Sequence, residues 1–174
     1  MTKENSKPTK SNFDLKKVKF DGKKVLVEYD YSHKRQDFNE KWTNGTKIPC
    51  VPHPDLIALF NQLREYVLKE FYVEPTVDNL SLVDITTVSL DDRKCVISAN
   101  FNTLHGGIVN VNTSKIDLDY SETGLEAEID AIVDAMIDEV FKLLFENKRA
   151  DPTLFATEPE IGLNNSGSNL MKAV

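Results

Sequence analysis

Histidine, cysteine and tryptophan are scarce in this chain, and their scarcity removes several kinds of chemistry at once. Its 174 residues include three histidines, two cysteines and one tryptophan. His33, His53 and His105 form no HExxH pair and no His/Cys spacing that suits zinc, and none adjoins a candidate nucleophile. His105-Gly106-Gly107 has the glycines of a strand connection, and without a G-x-S-x-G elbow there is no serine for an esterase to use. Neither glycine motif that cradles phosphate is present. The expectation is a non-enzyme without a cofactor. Cys50 and Cys95 form no C-x-x-C pair and are expected as free thiols of a reducing compartment. Long apolar runs are missing too. Nothing approaches the roughly 18 to 20 residues that span a bilayer, and the lysines of MTKENSKPTKSN have no apolar segment behind them, so a cytoplasmic protein with no membrane partner is expected.

The chain length suits one core. The net charge of −7 conceals a polarity: residues 1–48 hold twelve Lys or Arg against seven Asp or Glu, and the remainder nine against twenty-one. Such a distribution can orient a partner even when the whole molecule would repel a polyanion.

Residues 1–12 are polar and read as a disordered tail. In FDLKKVKFDGKKVLVEYDY, residues 13–31, Asp21-Gly22 separates two runs of β-type residues and predicts a hairpin. Residues 32–52 are polar and read as a long loop with room for a short strand. Pro54 and Asp55 open a helix whose apolar positions Leu56, Leu59, Phe60, Leu63, Val67 and Phe71 form one stripe. Four strand-like runs follow, LSLVDITTVSL, CVISANF, GIVNVNT and KIDLDY, with connections too short for parallel crossovers. Thr123 and Glu126 read as the capping box of a second helix, striped by Leu125, Ile129, Ile132, Val133, Met136, Ile137, Val140, Phe141 and Leu144. Leu143 and Phe145 stand outside its main stripe; left exposed, they would favour a homo-oligomer. No solenoid repeat is visible. The expected architecture is an α+β two-layer sandwich, β-β-α-β-β-β-β-α, with a mostly antiparallel sheet and two helices on one face. It occupies residues 13–150, and 151–174 form a flexible tail.

Three groups of residues could carry function. Lys16, Lys17, Lys19, Lys23 and Lys24 surround the hairpin turn, and Tyr29, Tyr31 and Trp42 are interleaved with Lys34 and Arg35. Single-stranded nucleic acid uses cations along its backbone and aromatic rings for its bases; hairpins also carry solvent-side lysines and core aromatics for purely structural reasons. Asp117, Asp119, Ser121 and Glu128 fall at positions 1, 3, 5 and 12 of a calcium-loop spacing, but Glu122 replaces the glycine of the sharp turn and a strand leads in, so no metal is expected there. The acidic face Glu126, Asp130, Asp134 and Asp138 reads as a solvated helix surface.

The third group is DPTLF, residues 151–155. Leu154 and Phe155 either fold back on the preceding helix or dock into a partner from the tail. TLF resembles the end of the Q-L-x-L-F peptide by which bacterial and phage DNA-metabolism proteins bind the replication sliding clamp; Asp151 stands where that peptide has glutamine, and Pro152 where it has a small or aliphatic residue. More broadly, VPHPDLIALFNQLREYV, the strand-rich middle and LLFENKRADPTLF resemble small acidic proteins of phages and mobile elements of the Bacteroidetes type, over roughly residues 13–155. The resemblance implies a phage-type accessory protein in the host cytoplasm, in DNA replication or recombination. Alternatives are a virion assembly protein and an inhibitor of host defence.

Overall fold

The computed structural model describes residues 9–35, 38–48, 51–103, 105–118 and 124–149. A short 3-10 turn leads into β1 (Phe13–Phe20), β2 (Val25–Arg35) and β3 (Phe38–Ile48), followed by α1 (Pro54–Glu70) and α2 (Val77–Ser81). Then come β4 (Val83–Asp91), β5 (Lys94–Asn102), β6 (Ile108–Asn112), β7 (Ile116–Asp117) and α3 (Leu125–Phe145). The seven strands form one antiparallel sheet in the order β3-β2-β1-β4-β5-β6, with β7 beside β5. The α+β fold read from the sequence is the fold observed, with corrections. Most of the expected loop at 32–52 is the eleven-residue strand β3, in register with β2 along its whole length. The short α2 is an additional element, capped by the Thr76 hydroxyl, which accepts from the Asn79 N–H. Thr123 lies outside the described residues, and α3 is capped by Gly124, at φ +94°, rather than by a capping box.

An internal structural repeat organises these elements. Strand positions recur 70 residues apart: Phe13 with Val83, Val25 with Cys95, Phe38 with Ile108. Each first strand carries a bulge at the matching place, between Leu15 and Lys17 and between Ile85 and Thr87. The turns match in length, with two central residues each, but differ in conformation, since Lys23 does not share the positive φ of Arg93. Asp21 Oδ1 accepts from the N–H of Lys23 and Lys24 while Gly22 takes φ +87°. Asp92 and Arg93 both take positive φ, as a type I′ two-residue hairpin requires. The buried helix positions Leu56, Phe60, Leu63 and Val67 have the same 4-3-4 spacing as Ile129, Val133, Met136 and Val140. The halves meet where β1 pairs with β4, Lys17 with Ser89, Val18 with Val88 and Lys19 with Thr87, a register symmetric about Val18 and Val88.

Each half's helix packs on the other half. α1 lies on β4, with Phe20 of β1 against Phe60 at its side, while α3 meets β1 through Phe13, whose ring lies 5.5 Å from Phe141 and 6.0 Å from Phe145. One core results, built from Leu15, Val18, Val27, Val88 and Ile97 of the sheet and the buried stripes of both helices. Leu143 is buried, and Phe145 packs on Phe13, Tyr29 and Phe141, so both belong to this core. Alternation sends Lys17, Lys19, Leu26, Glu28, Ser98, Asn100, Asn110 and Asn112 to the opposite face, which no helix among the described residues covers. No described helix is long and apolar enough to cross a membrane.

Candidate functional site

Because β1 bonds to β4 only over three residue pairs and then turns away at Phe20, the start of β4, Val83–Thr86, has no strand on that side among the described residues. α1 shows through the notch, and a cleft of about 790 Å³ opens there, within the range of small-ligand sites. Lys19, Phe20 and Gly22 form one wall, and Phe60, Asn61 and Arg64 the other. Its floor is a carpet of hydroxyls and carboxamides in two cross-strand rows. Lys19 pairs with Thr87, Thr87 with Ser98 and Ser98 with Asn112 in one row; Asp84 pairs with Asn100 and Asn100 with Asn110 in the other.

Charge is distributed unevenly around this cleft. Lys24 pairs with Asp21 at 3.0 Å, and that ammonium, with the Lys23 N–H, holds the Asp21 carboxyl below its ordinary range. Lys17 pairs with Glu28 at 3.6 Å, and Lys16 with Asp14 at 2.6 Å. Lys16 also stands 3.9 Å from Asp30, which is buried and accepts from the Thr43 hydroxyl at 2.7 Å. Lys19, Lys23 and Lys47 have no ion-pair partner among the described residues. Arg64 donates to Asp84 at 3.2 Å, and Asp84 accepts in turn from Asn102 at 3.0 Å; the buried Arg64 Nε–H has no acceptor among the described residues.

The equivalent notch in the second half is bridged. Arg93, which matches Lys23, donates to Asp130 and to Asp134 at 3.3 Å, one helical turn apart on α3. By the spacing of the buried stripes these match Ile57 and Asn61, two residues lining the open cleft. The acidic helix face is therefore partly neutralised, with Lys10 adding a pair to Asp138 at 2.7 Å.

The sheet separates the residues expected to act together on the hairpin. Tyr29 packs against Phe13 at 5.2 Å and Phe145 at 5.9 Å on the helix side, and Tyr31 stands opposite Phe13 on that same side, whereas Lys17 and Lys19 face away from the helices. Lys34, Arg35 and Trp42 belong to β2 and β3, but their side chains lie outside the description, as do residues Asp119, Ser121, Leu154 and Phe155. Asp117 ends β7, and Glu128 is exposed in the first turn of α3. The cleft residues Asn61, Arg64, Asp84, Ser98, Asn100, Asn110 and Asn112 were not foreseen. Their signal was the alternation in ISANFN and VNVN, where small polar residues rather than charges occupy the face away from the core.

A second polar cluster, His53, Asp55 and Glu139, has the composition of a cation site, and a cation of the chain itself fills it. Lys148 Nζ donates to Asp55 and to Glu139, each at 2.7 Å, and so ties the start of α1 to α3. Lys148 holds the Asp55 carboxyl down. For Glu139, burial pushes upward, and the ammonium groups of Lys142 and Lys148 outweigh it to leave the carboxyl lowered. The Cys95 thiol, buried, is pushed up to about 12 and is inert at neutral pH. No protein-family model, curated protein or solved structure matches the chain.

Proposed function

We propose that the chain is a non-enzymatic accessory binding protein of a phage-type setting, in DNA replication or recombination, which holds single-stranded nucleic acid across the open face of its sheet. The observation that carries this reading is Lys19 in the wall of a cleft floored by carboxamides, with Lys23 next in the chain to the lining residue Gly22 and Lys47 in the same cross-strand row as Lys19, two strands away, all three without ion-pair partners among the described residues. Cations follow a phosphate backbone, carboxamides offer a donor and an acceptor to base edges, and the half-buried Phe20 supplies a ring at the rim. Leu154 and Phe155 would anchor a protein partner such as a sliding clamp.

The test is fluorescence anisotropy of a labelled single-stranded oligonucleotide titrated across salt concentrations. With three lysines engaged, the logarithm of the binding constant should fall with a slope of about −2 against the logarithm of salt, from about −0.7 per phosphate on a single strand. Lys19→Glu combined with Lys47→Glu should weaken binding at every salt concentration. Absence of binding at low ionic strength, or binding indifferent to salt, would sink the reading.

A further inference from the structure

The sheet ends at β6 with an unguarded hydrogen-bonding edge. Thr103 N–H donates to the Gly107 carbonyl at 2.7 Å, and Thr113 N–H donates to the Ile97 carbonyl at 2.9 Å. Bonded pairs alternate in an antiparallel ladder, so the odd-numbered residues of β6 face β5 and the N–H and C=O groups of Ile108, Asn110 and Asn112 project outward. No strand among the described residues meets them. Proteins commonly blunt such an edge with lysine, proline or a bulge, and Ile-Val-Asn-Val-Asn has none of these, whereas the opposite outer strand β3 carries Glu40, Lys41 and Lys47. The helix layer also stops short here. Ile108 is 62% and Val109 51% exposed, and Phe71, 39% exposed, packs on Phe101, the cross-strand neighbour of Val109.

We infer that this edge receives a second copy of the chain, β6 pairing antiparallel with its counterpart about a two-fold axis through Asn110. Val-Asn-Val reads the same in both directions. Asn110 then meets Asn110 of the other copy, Ile108 meets Asn112, and Val109 meets Val111, so every outward N–H and C=O of the strand has a partner. Valines adjoin valines on the helix side, and on the open face carboxamide meets carboxamide at Asn110, with Ile108 beside Asn112 to either side. The occupant follows from the strand itself: Val-Asn-Val is self-complementary about a two-fold axis, and the uncharged strand sets no like charges against each other to oppose the pairing. The chain already uses the same geometry internally, where β1 and β4 pair symmetrically about Val18 and Val88.

Light scattering on the full chain over a concentration series should show the mass of a dimer. Amide hydrogen exchange should show Ile108, Asn110 and Asn112 gaining protection with concentration, while Val109 and Val111 are protected throughout. Asn110→Pro removes the outward N–H at the axis and no bond to β5; Val109→Lys places a charge beside the partner's valine. Each should return the mass to a monomer with an unchanged far-ultraviolet spectrum, and if the proline disturbs that spectrum the lysine variant decides. A monomer at every concentration would overturn the proposal. So would a dimer that survives both substitutions, or a monomer whose three outward amides are protected, which would assign the edge to another segment of the same chain.

Discussion

The two halves of this chain build the same three strands and helix and then treat the same notch in opposite ways. In the second half Arg93 reaches from the hairpin turn to Asp130 and Asp134 and closes it; in the first, Lys23 occupies the matching place, the helix offers Ile57 and Asn61, and the cleft stays open. The two halves share what the core requires, the bulge positions and the buried stripes, and differ at one set of surface positions. One half reads as a brace. The other presents an open cleft.

Three experiments bear on this contrast. The largest effect is expected at Phe13, where a single ring joins the first half's leading strand to the second half's helix. Phe13→Ala should cost about 3–5 kcal/mol in denaturant unfolding, and Val83→Ala at the matching position should cost less because fewer carbons are lost. A comparable cost at both positions would mean that the halves do not differ in how their helices are anchored.

An intermediate effect concerns Lys148, which links one half's helix to the other's. The Asp55 and Glu139 carboxyls are held below their ordinary values of 3.8 and 4.5, so their contribution to stability is present above those values and is lost as pH falls through the depressed ones. Lys148 is raised above 10.5, and its contribution is present below that value and lost as pH rises past the elevated one. Lys148→Met should therefore lower the melting temperature at pH 7 and lower it much less at pH 2. Equal losses at both pH values would show that the lysine acts through packing.

The smallest effect is expected at Arg93, whose pairs are partly exposed. Arg93→Ala should cost below about 1 kcal/mol. Faster amide exchange at the turn 91–94, with little change elsewhere, would mark it as the brace of the closed notch.

The sequence carried much of the fold where local chemistry decides it. Asp21-Gly22 marks a turn because glycine accepts positive φ, and the stripes of α1 and α3 follow from spacing alone. β3 was hidden because an outer strand needs only its backbone to pair, so FNEKWTNGTKI can remain polar. The repeat was hidden because the two hairpins share positions more than identities: Asp14, Val18, Asp21 and Lys24 correspond to Asp84, Val88, Asp91 and Lys94, while Lys16, Lys17 and Lys19 correspond to Thr86, Thr87 and Ser89. The cleft was not legible at all. It arises where β1 leaves β4, and no local pattern records where two strands distant in sequence part company.

The crossing of the helices has a consequence for how the molecule comes into being. Since α1 rests on β4 and α3 on β1, neither half completes its own hydrophobic layer. The decisive meeting of Val18 with Val88 must bring together strands separated by an entire helix-bearing unit, a closure that slows the search for the native state. The refolding chain should therefore acquire its ordered aromatic environment in one late, concerted step shared by both halves, with no lifetime in which one half stands finished and the other does not.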